Sequence, residues 1–152
     1  MLPTPRRFTL VAGSAEGDTQ LTAFDKALLV AGVGNLNLIR VSSILPPGAE
    51  FIQQVDILPG SLTPIAYGTV SSEVPGRLIS AAIGVGAISG SFGVIMEFAG
   101  KCTRAEAEEK IEKMVREALA IRNAYPERIM IKATEHVVEK VGCSFAGVVL
   151  WY

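Results

Sequence analysis

Short apolar runs broken by Gly, Pro and Ser occupy most of this chain, and only two stretches carry apolar residues at helical spacing. Residues 8–11 read as a strand that ends in the glycine-flanked acidic loop 13–18. Residues 22–33 read as a helix capped by Thr22, with Asp25 three positions on and Gly32 and Gly34 as stops. Residues 36–41 form an apolar strand that runs straight into Ser42-Ser43, and the rigid turn Pro46-Pro47-Gly48 follows. Further strands are expected at 65–71, 77–85 and 92–98. The short link Glu73-Val74-Pro75-Gly76 predicts a hairpin between the first two of these.

The second helix is the clearest element. It spans 103 to about 123 and opens on Thr103 and Glu106 as a capping box. Three oppositely charged pairs follow four residues apart: Glu106 with Lys110, Glu109 with Lys113, and Glu112 with Arg116. Its apolar side is expected to carry Ala107, Ile111, Met114, Ala118 and Ile121. The charged side reads as a solvated face, which removes its glutamates from the catalytic candidates. Residues 128–138 and 143–151 close the chain as strands. Runs of strands separated by two helices predict an α+β fold with mostly antiparallel pairing, and 152 residues fit one domain.

Composition narrows the function classes. Hydrophobic residues make up 49% of the chain, enough for a real core, and a net charge of −1 with scattered Lys and Arg gives no nucleic-acid footprint. The uncharged run 78–96 approaches the length of a membrane-spanning helix. Its four glycines and three serines instead fit two buried strands joined by a Gly-Ser turn, so no membrane span is expected. No signal peptide is expected either, and the chain reads as cytoplasmic. The surplus of apolar residues points to a subunit interface. Cys102 and Cys143 form no C-x-x-C motif and read as reduced thiols. His136 has no partners at ligand spacing, so no metal site is expected and it reads as a hydrogen-bonded structural residue. No Lys-Ser/Thr follows the loop 13–17, which argues against a phosphate loop.

One position invites covalent chemistry. A Ser43 hydroxyl set against the Ser42 carbonyl can convert the intervening amide into an ester; elimination and hydrolysis then leave a pyruvoyl group at position 43. Most Ser-Ser pairs are ordinary strand or turn residues, and Ser71-Ser72 is a second pair in the same chain. The setting distinguishes the first pair. Pro46 and Pro47 push Leu45 and Pro46 away from helix and end the strand abruptly beside Ser43. Glu97 is the other candidate, because it is the sole acid between Leu78 and Phe98. An isolated carboxyl in an apolar strand is expected to be desolvated and to keep a proton near neutrality. The competing reading is an acid at a strand end that simply points outward.

The segments "LVAGSAEGDTQLTAFDKALLVAGVGNLNLIRVSSILPPGAE", "PIAYGTVSSEVPGRLISAAI", "GVIMEFAGKC" and "EHVVEKVGCSFAGVVLWY" resemble the pyruvoyl-dependent arginine decarboxylases, in the family's order and over nearly the whole chain. The resemblance implies an αββα sandwich of two stacked, mostly antiparallel sheets flanked by helices, with a trimmed loop near 87–92. It implies a homotrimer with active sites between neighbours. It also implies self-cleavage between Ser42 and Ser43 into chains 1–42 and 43–152, and a pyruvoyl group derived from Ser43, with no pyridoxal phosphate and no metal. The implied reaction is decarboxylation of L-arginine to agmatine and carbon dioxide.

Residue roles follow from the same likeness. Met96-Glu97-Phe98 matches the family's Met-Glu-Phe/Tyr motif and makes Glu97 the proton donor. Asp25, in Ala-Phe-Asp, would hold the substrate guanidinium through paired charge-assisted bonds, its alternative being a helix-start residue. Asn37 would polarise a carbonyl during processing, or else be a strand asparagine bonded to backbone. Leu21, Gly34 and Leu36 would line the pocket, Gly34 serving equally as a helix stop, and Ile44 would flank the modified residue. Tyr67 reads as core. Two other functions stay open: decarboxylation of another basic amino acid, and an unprocessed homologue serving as a binding or scaffold subunit.

Overall fold

A computed structural model describes residues 2–152. Two stacked sheets carry one helix on each outer side. Strand β1 (Arg7–Glu16) leads into helix α1 (Gln20–Ala31), then β2 (Asn37–Arg40), β3 (Ile44–Leu45), β4 (Glu50–Phe51) and β5 (Leu62–Ser72). Strands β6 (Leu78–Ala87) and β7 (Gly93–Gly100), helix α2 (Arg104–Ile121), and strands β8 (Arg128–Val137) and β9 (Gly142–Trp151) complete the chain. The five-stranded sheet has the order β2-β5-β9-β1-β4 and the four-stranded sheet β3-β7-β6-β8. Its two edge pairings, β2 with β5 and β1 with β4, are parallel, and the other pairings in both sheets are antiparallel. This is the expected α+β sandwich.

Three apolar layers result from strand alternation. Between the sheets, Phe8, Leu10, Ala146, Val148 and Leu150 meet Ala81, Ile83, Val85 and Ile95. Helix α1 packs Ala23, Ala27 and Leu28 on one outer face, and α2 packs Ala107, Ile111, Val115 and Leu119 on the other. The membrane-like run resolves into the hairpin β6–β7, in register from Ser80 opposite Gly100 to Ala87 opposite Gly93. Its glycines belong to packing: a Cβ on Gly84 would lie 2.2 Å from Ile111 Cγ2, so α2 can settle only on a bare backbone. Among the described residues, no helix is long and apolar enough to cross a membrane.

Several expectations need correction. The link 73–76 does not make a hairpin: β5 lies in one sheet and β6 in the other, so this turn carries the chain between layers. Turn chemistry fixes a reversal but not the sheet in which the next strand pairs. Residues 13–16 are strand, paired with β9, and the loop begins only at Gly17. Thr19, not Thr22, caps α1, with Thr22 as the third-position partner of its capping box, so Asp25 lies beyond the first turn. Val115 and Leu119 join the buried side of α2, Met114 packs half-buried against it as expected, and Ile121 leaves it, 72% exposed. The pairs Glu109–Lys113 and Glu112–Arg116 form, whereas Lys110 lies over the Phe98 ring, 5.1 Å from its centroid. The two-residue strands β3 and β4 were too short for periodicity to register.

His136 is tied structurally: its Nε2 lies 2.6 Å from Glu16 Oε2, and Glu16 Oε1 accepts from the backbone N–H groups of Lys140 (2.7 Å) and Val141 (3.1 Å). Burial pushes the Glu16 carboxyl up, but the Lys140 amide and His136 outweigh it and hold the group below its ordinary 4.5. A lowered carboxyl contributes stability above its unfolded value, and that contribution is lost as pH falls through the folded value. Glu16→Gln keeps an acceptor and removes the charge. It should therefore be less stable than the parent at pH 7 and melt at a lower temperature, and the gap should close in acid below 4.5. Paired thermal melts at pH 7 and in acid check this; a constant gap would contradict it.

Candidate active site

Strand β2 ends at Arg40 on the edge of one sheet, and β3 begins at Ile44 on the edge of the other. Residues 41–43 are thus a crossover between layers, and the Ser42–Ser43 peptide lies inside it. Each end is anchored: the Val41 N–H donates to the Ile65 carbonyl (2.9 Å), and the Ser43 carbonyl accepts from the Ile95 N–H (2.8 Å). Ser42 is exposed and Ser43 half-buried. Beyond them the Pro46 carbonyl accepts from the Ala49 N–H (3.2 Å), closing a turn around Pro47 and Gly48. Gly48 takes φ +76°, which a side chain would resist. Ser71-Ser72 differs, because both residues sit in β5 opposite Cys143 and Gly142. The fold therefore gives a structural basis to the difference between the two Ser-Ser pairs that the prolines after Ser43 mark in sequence.

Glu97 lies two residues beyond Ile95 on β7, on the same face, so it points between the sheets. There it meets β5 at Gly68, where an added Cβ would be 3.4 Å from Glu97 Cβ. Its Oε1 accepts from Arg40 Nη2 at 2.9 Å. The same nitrogen donates to the Tyr67 carbonyl at 2.7 Å, and the guanidinium lies 4.4 Å from the Tyr67 ring centroid. Phe24 and Phe145 back that ring, with centroids 6.3 and 5.3 Å away.

This corrects the environment expected for Glu97. The carboxyl is neither isolated among apolar groups nor simply directed outward; it is ion-paired, and its side chain is 34% exposed. Periodicity along β7 reports that strand's own neighbours and says nothing of a cation arriving from β2. Arg40 escaped the sequence reading, although it is the only charged residue between Lys26 and Glu50. Two lone opposite charges in separate apolar strands were the available signal.

The remaining candidates form a second group. Leu21 and Asp25 stand exposed on α1, Leu21 at 75%. Gly34 packs where the chain folds back over Leu29, and the left-handed helix stop is Gly32. Leu36 packs half-buried against the α1 core. Asn37 starts β2, with its side-chain amide donating to the Gly60 carbonyl at 2.8 Å. It stands six positions before Ser43, at the far end of β2 from the crossover. The chain joins Glu97, Arg40 and Tyr67 directly, and sets Ser43 and Ile44 against Ile95 and Val94 of the same strand β7. No hydrogen bond or ion pair among the described residues links that set to Leu21, Asp25, Gly34, Leu36 or Asn37.

The crossover can accommodate a prosthetic group made from residue 43. Its carbonyl is already held by an amide donor, and exposed Ser42 leaves room for a freed chain end. Among the described residues, no cluster of three His, Cys, Asp or Glu side chains could hold a metal. Cys143 is buried and Cys102 half-buried, and both are free thiols.

The family described as pyruvoyl-dependent arginine decarboxylase matches residues 7–151. A Methanocaldococcus jannaschii protein named pyruvoyl-dependent arginine decarboxylase is 49% identical over 150 residues, covering 97% of this chain and 91% of its own. A Methanococcus maripaludis protein of the same name is 42% identical over 150 residues, with 97% and 92% covered. A third, from Pyrococcus abyssi, is 40% identical over 152 residues, with 97% and 96% covered.

Proposed function

The chain belongs to the pyruvoyl-dependent arginine decarboxylase family, and on that footing we propose that it cuts its own backbone between Ser42 and Ser43 and then converts L-arginine to agmatine and carbon dioxide. The observation that carries this reading is the position of the Ser42–Ser43 bond. It lies in a crossover pinned to both sheets, with Glu97 two residues beyond the amide that holds Ser43.

In processing, Ser43 Oγ bonds to the Ser42 carbonyl carbon as the C–N bond breaks, giving an ester and a free amine. Loss of the Ser43 α-proton expels the Ser42 carboxylate, and hydrolysis then releases ammonia. The products are chains 1–42 and 43–152, the larger beginning with a pyruvoyl group. That group supplies an electron sink beside the substrate amine, so neither pyridoxal phosphate nor a metal is required. The Ile95 N–H holds the carbonyl of residue 43, where it can steady negative charge. Glu97, a carboxylate in its ion pair with Arg40, takes up a proton that the substrate ammonium sheds as its amine condenses, and returns a proton to the α-carbon after carbon dioxide leaves. Asn37 assists processing through its side-chain amide.

The second group completes the site from a neighbouring subunit. Asp25 has no ion-pair partner among the described residues, and a free carboxylate suits a guanidinium. Exposed Leu21, Ile39, Ile44 and Leu62 lie near these elements and support burial against another copy. We place Ser43, Ile44 and Glu97 of one protomer opposite Leu21, Asp25, Gly34, Leu36 and Asn37 of the next in a cytoplasmic homotrimer.

Assaying arginine, lysine, ornithine and histidine in parallel tests substrate choice, with arginine expected to be turned over best. Asp25→Asn should raise the arginine KM by about 10- to 100-fold, the value of a hydrogen bond to a charged group, with a smaller change in kcat. An unchanged KM would remove Asp25 from substrate recognition.

A further inference from the structure

We propose that Arg40 is a positioning residue, holding the Glu97 carboxylate at the crossover and doing so across two separate chains once the backbone is cut. The kinetic part rests on the decarboxylase reading; the clamp itself does not. Arg40 belongs to residues 1–42, whereas Glu97 and Tyr67 belong to 43–152. The small chain's new end would therefore lie two residues beyond a guanidinium that is bound entirely to the large chain.

An exposed ion pair alone holds little, and the Arg40 side chain is 53% exposed. The geometry here adds direction. One guanidinium meets Glu97 at 2.9 Å, the Tyr67 carbonyl at 2.7 Å and the Tyr67 ring face at 4.4 Å. Phe24 and Phe145 support that ring, so it acts as a fixed floor under the cation. A planar fork can stack and donate at once, which an ammonium cannot do. Glu97, facing the bare backbone of Gly68, has no other hydrogen-bond partner among the described residues to set its rotamer. Its carboxyl is thus oriented by Arg40. A proton donor displaced by about 1 Å can lose on the order of 100-fold in rate.

Two backgrounds provide the test. In the processing-blocked Ser43→Ala chain, Arg40→Met, Glu97→Gln and their combination are unfolded in urea. The double variant's midpoint should shift by less than the sum of the single shifts. In the processing-competent chain, rates are normalised to the cleaved fraction measured by intact mass. Arg40→Met should lower kcat by about 10- to 100-fold with KM changed little, and Arg40→Lys should recover only part of it. Adding Arg40→Met to Glu97→Gln should cost nothing more in kcat. Strictly additive midpoints would overturn the clamp. A full further loss of kcat in the Glu97→Gln background would overturn the positioning role. If Arg40→Met fails to fold, Arg40→Lys carries both comparisons. A parent protein that decarboxylates none of the four amino acids would sink the functional reading and leave the urea cycle to judge the clamp.

Discussion

Ser43→Ala is expected to yield one unbroken chain of 152 residues with no measurable decarboxylation. In the proposed reaction the residue-43 hydroxyl attacks the preceding carbonyl, and without that attack no electron sink forms. The loss should be on the order of 10⁶-fold or more, because the remaining pocket offers binding without the covalent chemistry that lowers the barrier. Fold should survive: the contact that anchors residue 43 is its backbone carbonyl to the Ile95 N–H, which alanine retains. Denaturing mass spectrometry beside a thermal melt separates a blocked reaction from a misfolded protein. A cleaved Ser43→Ala chain, or an intact one that still decarboxylates arginine, would contradict the assignment.

Glu97→Gln should behave in the opposite manner in one respect. Its backbone is expected to be cleaved as in the parent, giving 1–42 and 43–152, while turnover falls by about 10²- to 10⁴-fold, the usual contribution of a placed proton donor. Glutamine keeps the size and one acceptor oxygen but can neither take up a proton nor return one. It also removes the ion pair with Arg40, leaving that guanidinium its Tyr67 contacts. Single-turnover rates on fully cleaved material are the relevant readout. Turnover equal to the parent would take Glu97 out of the chemistry.

Local signals told much of this fold. The Gly-Ser turn within 78–96, the Thr103 cap and the closing strands at 128–138 and 143–151 all follow from residues near one another in sequence, and the structure has them. Where several residues compete locally, the reading slipped by a few positions. Thr19 and Thr22 can each cap a helix, and the structure makes the first the cap and the second its partner. Residues 13–16 look like a loop because Gly and Ser break the apolar run. Pairing with β9 overrides that preference, and a missing Cβ at Gly13 lets α1 come within 2.6 Å of where one would stand.

Long-range partners were not legible. The link 73–76 promised a hairpin because a turn fixes only the reversal of the chain, whereas β5 finds its neighbours in β2 and β9 and β6 finds its own in β7 and β8, in different sheets. Likewise the setting of Glu97 depends on Arg40, 57 positions earlier, and no periodicity connects them. At the site, the crossover explains why one Ser-Ser pair differs from the other, a distinction that Pro46 and Pro47 hinted at and that only the two-sheet arrangement makes physical. Asp25 and Asn37 share no hydrogen bond or ion pair with Ser43 among the described residues, and no local pattern in the sequence tells how such separate elements come together.

The most direct test is the denatured mass of freshly purified, catalytically active protein before and after borohydride treatment. Two chains, 1–42 and 43–152, are expected, with the larger blocked at its N-terminus and gaining two hydrogens on reduction. A single unbroken polypeptide that decarboxylates arginine and takes up no hydride would contradict the account.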